Sequence, residues 1–318
     1  MIEVRATNDD DLPGLSALFE ARFGHPLGVA DWVWKYRQLP GTGRSMVAVD
    51  ETGTIVAHAG ALCLPARWSG AGGERGEGGI WQLVDFAGAP RGSGLRPALV
   101  KLGRQLLADI PAAGEAPWIF GFPSERHFKL GERVFGYSPL TTLAPLRAEI
   151  PHVAGSGAIE SGDSAGDWAA AAWERCGALG VRRTAAFLNW RYWARPDRYY
   201  RFYRLSPATA SPARPAAAPG GAAAPEGLAV FAFVGDEAWA AELWLPPEGE
   251  WYAAMLAVAA DLRASGLRSW RFWPPPDILG AAPLLHRLGV RPDGSRVFVG
   301  CRGAAGGFDY AMGDYDLV

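Results

Sequence analysis

The stretch "FAGAPRGSGLRPALVKL", residues 86–102, decides how this chain is read. A strand-like run leads into a glycine-rich turn, and the turn opens a helix. Glycine lets a backbone approach a ligand closely, and the first N–H groups of a helix lack intrahelical partners, so they bind anions. Arg91 adds a cation, and Pro97 is tolerated in a first turn, where its missing N–H is not needed. Arg91, Gly92, Ser93 and Gly94 thus outline a phosphate or pyrophosphate cradle. A tight turn that needs small residues is the alternative. No Gly-Lys-Ser/Thr closes the turn, so it is not a P-loop, and the third glycine of the dinucleotide fingerprint is missing.

Working outward, "IEVRA" alternates like a first strand, and "TNDDDLPGLSALFEARF" carries an N-cap, first-turn acids and helical apolar spacing. "ADWVWKYRQLP" reads as a second helix stopped by Pro40, and "SMVAVD" and "TIVAHAGALCLPARW" as strands joined by a hairpin. In the next strand, "GIWQLVDFAGAP", alternation puts Gln82, Val84 and Phe86 on one face and Trp81, Leu83 and Asp85 on the other. The helix after the turn has an apolar face of Leu95, Leu99, Leu102 and Leu106. "PWIFGFP" is a strand, "SERHFKLGERVFG" a helix and "SPLTTLAPLRAEI" a returning strand. The order is β-α-α-β-β-β-α-β-α-β, ending near Ile150. Residues 151–166 read as a linker, rich in Gly and Ser from 153, and 207–226 as a low-complexity Pro/Ala loop, expected to be mobile.

The remainder repeats the first part. "WKYRQLP" (34–40) returns as "WRYWARP" (190–196), and "MVAV" at 46–49 meets "FYRL" at 202–205 at the same offset. "WIFGFP" matches "WRFWPP", and Gly136 matches Gly289, at nearly constant offsets beyond the Pro/Ala insertion. The order of elements and the spacing together indicate a duplication. The repeated Trp–cation–Tyr is expected to be a helix-end aromatic pair packed on the sheet, with direct substrate contact as the alternative. At the position of the cradle, the second copy has "PPEGEW" (246–251). Glu248 and Glu250 there would suit a helix N-terminus but repel pyrophosphate.

Composition narrows the classes. The 318 residues carry a net charge of −2, which gives no electrostatic case for nucleic acid or an anionic membrane. The three cysteines are far apart and odd in number, so neither a disulfide framework nor a metal site is suggested. No apolar run approaches the about 20 residues of a membrane helix, and the charged start lacks a signal-peptide core. A cytoplasmic protein is expected. Nothing bears on its oligomeric state.

With these residues in place, the first half resembles the GCN5-related N-acetyltransferase (GNAT) superfamily, whose acyl-CoA motif, Gln/Arg-x-x-Gly-x-Gly/Ala, follows the fourth strand. Arg91, Gly92, Ser93, Gly94 and Leu95 stand in that motif, and "GFPSERHFKLGERVFGY" looks like the fifth strand and following helix, with Ser124 where an Asn is frequent. Two departures are visible: Arg96 at the sixth motif position, and Pro90 directly before Arg91. The second half resembles the family by element order alone. The resemblance implies an α/β (α+β) protein of two GNAT-like domains, 1–150 and 167–318, each a mixed, mostly antiparallel twisted sheet flanked by helices. The second would be degenerate, leaving one site for acetyl-CoA or another acyl-CoA.

What the resemblance implies chemically is direct attack of a small-molecule amine on the thioester. Phe86, Ala87 and Gly88 join Arg91–Leu95 and Ser124 as cofactor-binding candidates, with N–H groups near Ala87 and Gly88 stabilising the oxyanion. For proton transfer the candidates are Asp85, the nearest carboxylate; Gln82, able to orient a water where relatives place a Glu; His127; and Tyr137, just past the helix on which relatives carry a general-acid Tyr near Gly131 or Glu132. His58 could also titrate usefully, and so could the tail "GDYDLV" through Asp314, Asp316 or its terminal carboxylate, although a solvated tail is the expected state. Structural roles for Asp85 and both histidines remain open. Other readings are an acyl-CoA-binding regulatory module without catalysis, and aminoacyl transfer from tRNA on a related double fold.

Overall fold

A computed structural model describes residues 1–70, 73–90, 95–110, 119–153, 159–207, 226–247, 249–273, 281–303 and 308–315, with backbone alone at 95, 96, 281 and 282. The turn at Arg91–Gly94, the Pro/Ala segment 208–225, Glu248 and Asp316 lie outside the described residues. The chain forms two compact units: Met1–Thr142 with Arg195–Asp197 and Val297–Gly307, and Leu143–Ala194 with Arg198–Arg296 and Phe308–Val318.

The first unit is built on β1 (Glu3–Ala6), β2 (Thr42–Val49), β3 (Ile55–Ser69), β4 (Arg75–Gly88), β5 (Ile119–Gly121), β6 (Ser138–Leu143) and β15 (Val297–Arg302), in the order β1-β2-β3-β4-β5-β15-β6. β1 to β4 pair antiparallel, and β4 pairs β5 in parallel. Helix α3 (Leu95–Asp109) covers one face. Its buried stripe is Ala98, Leu102 and Leu106, continued by Ile110, with Leu99 packed alongside. Leu99, Leu102 and Leu106 of the expected face thus meet the core, Ala98 joins them, and the Leu95 side chain lies outside the described residues. The stripe sits on Ala57, Ala59 and Ala61 of β3, whose small side chains let the helix come close. α1 (Leu12–Phe23) and α2 (Val29–Tyr36) cover the other face, through Leu15, Leu18, Phe19, Trp32 and Trp34. α4 (Glu125–Phe135) is N-capped by Ser124 and ended by Gly136 in the left-handed conformation. A side chain at Gly103 of α3 would overlap the Phe135 ring, so this glycine sets how closely α3 and α4 approach.

The second unit contains β7 (Leu146–Glu149), β8 (Ile159–Gly162), β9 (Gly180–Val181), β10 (Tyr200–Leu205), β11 (Gly227–Val234), β12 (Glu237–Trp244), β13 (Ser269–Phe272) and β14 (Arg291–Pro292). Its sheet runs β14-β7-β13-β12-β11-β10-β8, with β12 and β13 paired in parallel, as β4 and β5 are. α7 (Tyr252–Ala264) and α8 (Ala281–Arg287) pack on one face, with Met255, Val258, Leu262 and Leu285 against Phe231, Trp270 and Phe272. α5 (Asp167–Arg175) and the short α6 (Ala185–Leu188), which continues as a π turn at Asn189–Trp193, complete the unit.

The two sheets share one plan, and three sequence expectations change. Residues 159–162, read within a linker, form β8 and pair with β10. The run read as one returning strand is two, β6 and β7, in different sheets. In both sheets the place beside the fifth strand is taken by a strand from far along the chain: β15 inserts between β5 and β6, and β7 between β13 and β14. The compact units therefore do not follow the sequence boundaries 1–150 and 167–318.

Candidate active site

The fourth strand carries the decisive irregularity. β3 and β4 run in regular register from Ser69↔Arg75 to Gly60↔Val84, and then resume at His58↔Ala87. One extra residue on β4 makes a bulge, with Asp85 and Phe86 together opposite Ala59. Asp85 has φ 54, and it is the one non-glycine with positive φ among the described residues. Aspartate is among the few residues that enter this region at modest cost. The bulge reverses the side-chain alternation expected beyond Val84. Asp85 joins the α2 face, where it meets Lys35 and Tyr36, and Phe86 packs with the α3 core.

β5 pairs β4 only at Trp81↔Ile119, Gln82↔Phe120 and Leu83↔Gly121. Past that point the two parallel strands part, and the bulge lies at the opening. Ala89 N–H bonds Val56 O of β3 at 2.9 Å. Alternation from Ala89 turns Ala87 toward β3, and Phe86 and Gly88 toward the open side. Of the two expected oxyanion donors, Gly88 keeps that orientation, Ala87 does not, and Phe86 gains it.

The bulge is held from the α2 face. Lys35 Nζ donates to both Asp85 oxygens, at 3.0 and 3.1 Å, and Tyr36 O–H donates to Oδ2 at 2.7 Å. The Lys35–Asp85 pair is nearly excluded from solvent. A side chain at Gly60 would overlap the Tyr36 hydroxyl, so glycine there lets the phenol reach the carboxylate. His58 is fully buried. Its Nδ1 lies 3.0 Å from Asp85 O and its Nε2 2.9 Å from Ser45 Oγ. The carbonyl can only accept, so Nδ1 carries the proton and Nε2 accepts from Ser45. Ser45 Oγ is in turn bonded to Thr7 Oγ1 at 2.7 Å and receives Trp32 Nε1–H at 3.3 Å. Burial lowers the His58 pKa to about 4. His58 is thus a neutral strut on the bulge carbonyl, with partners that its sequence neighbours do not disclose.

On the opposite face an aromatic cluster lines α4. The His127 ring lies 4.4 Å from Phe86 and 6.5 Å from Tyr137, and Phe135 lies 6.0 Å from Phe86 and 5.8 Å from Tyr137. Burial lowers His127 to about 4, and its Nε2 is buried without a hydrogen-bond partner among the described residues. The Tyr137 ring occupies the space a side chain on Gly131 would need, and burial raises its phenol well above the usual range. Ser124 Oγ accepts His127 N–H at 3.3 Å and so serves as the helix cap. The structure thus brings Phe86, His127 and Tyr137 together, places Asp85 on the other face, and buries Gln82 within β4.

Comparison with solved structures identifies the fold. The GCN5-related N-acetyltransferase of Kribbella flavida matches with a TM-score of 0.57 at 15% identity, covering 95% of this chain and 71% of that one. The GCN5-related N-acetyltransferase of Sphaerobacter thermophilus matches at 0.54 and 16% identity, covering 97% and 98%. Eis1 of Mycobacterium abscessus matches at 0.56 and 20% identity, covering 95% and 73%. The chain has the GNAT fold. No protein-family model matches it, and no curated protein matches it.

In the second unit the same plan carries different side chains. β12 also carries an extra residue, between Val230↔Glu242 and Phe231↔Ala240. Tyr192, the counterpart of Tyr36, donates to Glu242 next to that irregularity. The repeated Trp–cation–Tyr is thus more than an aromatic pair: in each copy its phenol binds a carboxylate from the fourth strand. At the start of α7, Glu250 Oε1 accepts Tyr252 N–H at 2.9 Å, so a side chain of the chain itself occupies that anion site. Asp314, expected in a solvated tail, is buried and bonded to Arg183.

Proposed function

We propose that the chain is an acyl-CoA-dependent N-acyltransferase (EC 2.3.1 type) acting on a small-molecule amine, with one acyl-CoA site in the first unit and a degenerate second copy. The observation that carries this reading is the opening of β4 from β5 at a bulged strand, with α3 beginning just beyond it. In this reading the thioester lies along the open edge of β4, and the turn Arg91–Gly94 with the start of α3 at Leu95 holds the pyrophosphate. The Phe86 and Gly88 N–H groups receive the oxyanion as the amine attacks the carbonyl carbon. The C–S bond then breaks, and Tyr137, kept protonated by burial, donates to the leaving thiolate. His127 has an unengaged ring nitrogen beside Phe86, and it passes the amine's proton to solvent. Asp85 and His58 hold the bulge instead of taking part in proton transfer.

An amine panel with acetyl-CoA and longer acyl-CoAs, read by free thiol release, tests this reading. Release should depend on amine and fall at least tenfold in Tyr137→Phe. One observation favours a second reading, an acyl-CoA-binding regulatory module: both Asp85 oxygens are engaged by Lys35 and Tyr36, which leaves no open carboxylate at the bulge. CoA binding without thiol release from any amine would support that alternative.

A further inference from the structure

The second unit has an opening that corresponds to the one in the first. β12 pairs β13 only at Glu237↔Ser269, Ala238↔Trp270 and Trp239↔Arg271, and the irregularity of β12 follows at once. In this unit the chain's own last segment lies there. A 3₁₀ turn at Met312–Asp314 packs on β12, and the Tyr315 ring lies 5.8 Å from Trp273, just past the end of β13.

The segment is held as a ligand is held. Asp309 N–H bonds Leu179 O at 3.2 Å, and Leu179 N–H bonds Asp309 Oδ2 at 2.8 Å. Arg191 donates through Nε to Gly313 O at 2.9 Å and through Nη2 to Tyr315 O at 3.0 Å, a grip on main chain that reads no side chain. Three successive side-chain positions are read as well. A side chain at 313 would overlap the Tyr192 hydroxyl and come within 3.0 Å of Ala241 O, so only glycine fits. Asp314 accepts from Arg183 Nη2 at 2.8 Å on each oxygen. Tyr315 meets Trp273. Arg183 is fully buried, and its Nε is bound to Glu242 at 3.0 and 3.1 Å and its Nη1 to Val181 O at 2.5 Å. The guanidinium is therefore held by Glu242 and Val181 independently of the segment's own atoms, with its remaining edge turned to the Asp314 carboxylate.

We propose that the cleft between β12 and β13 is a peptide-binding site whose ligand is the chain's own segment Asp309–Tyr315, selected through Gly313, Asp314 and Tyr315. The second unit has kept the opening of the fold and given it an internal acidic-aromatic peptide. The proposal does not depend on the acyltransferase reading, and its test uses no CoA.

Replacing residues 304–307 with a site-specific protease sequence allows the folded full chain to be cut before the segment. After cutting, the released piece should co-elute at one per chain and exchange with a labelled synthetic peptide of residues 308–318. A peptide carrying Asp314→Ala should compete at least about 30-fold more weakly, the loss expected for one partner of a buried charge pair, and one carrying Gly313→Val should be as weak, because its side chain overlaps the Tyr192 hydroxyl. A cut chain that stays folded by circular dichroism yet loses the piece and takes up no peptide would overturn the proposal, as would variant peptides that compete like the parent. A second measurement uses the uncut protein: carboxypeptidase should stall before Asp314 in the parent and run through it in Asp314→Ala. Equal digestion of both would also overturn the proposal.

Discussion

His58 makes the fold sensitive to mild acid, and the size of the effect follows from its surroundings. The imidazole is fully buried between Ser45 and the bulge carbonyl, which lowers its pKa from 6.5 to about 4. In the unfolded chain it titrates near 6.5, so between pH 6.5 and 4 the unfolded state binds the extra proton. Stability therefore rises with pH across this window and falls as the solution is acidified. Lowering the pH from 7 to 5 should cost about 2 kcal/mol through this one group, with a limiting slope of about 1.4 kcal/mol per pH unit. His127, also lowered to about 4, adds a term of the same sign. Urea denaturation at pH 7, 6 and 5 reads the effect directly, and His58→Gln isolates it. The variant should be less stable at pH 7, because the bulge carbonyl loses its strut, but its stability should fall with acid by about 2 kcal/mol less than the parent's. Parallel pH profiles for parent and variant would refute the assignment of His58 as a buried neutral group.

Other consequences can be measured. The fragment 1–150 lacks β15, which separates β5 from β6, so it should aggregate or fail to fold, whereas a stable monomeric fragment would contradict the strand order. Lys35→Met strands the Asp85 carboxylate in a nearly solvent-free site and should cost about 3 kcal/mol, with most of it recovered in Lys35→Met/Asp85→Asn. Equal losses in the single and double variants would show that the pair is not coupled. Gly94→Glu, judged from the motif, sets a carboxylate against the proposed pyrophosphate. It should leave circular dichroism unchanged and weaken CoA at least about tenfold by calorimetry; unchanged affinity would mean that this turn is only a turn.

Much of the first sheet was legible, because alternation and helical spacing are local signals. "IEVRA", "SMVAVD" and "GLRPALVKL" fell where β1, β2 and α3 are. Strand partners were not legible, since period-2 alternation marks a strand without naming its neighbour; "VFVG" reads the same beside β5 as it would beside β13. The bulge was missed because one inserted residue leaves no mark in composition, although Asp85 is among the residue types able to take positive φ. The repeated Trp–cation–Tyr pointed to the right place, but an aromatic residue in sequence does not show what its hydroxyl meets. Arg183 and Glu242 were passed over, and Asp314 was expected in a solvated tail, because a charge looks alike in sequence whether it is solvated or buried against its opposite.

The central claim, one working acyl-CoA site in the first unit, is tested most directly by calorimetric titration of the intact chain with CoA, paired with thiol release from acetyl-CoA across the amine panel. The account predicts one CoA per chain and amine-dependent thiol release, both lost together in Gly94→Glu while the protein stays folded. Two equal CoA sites, or activity that persists in Gly94→Glu, would contradict it.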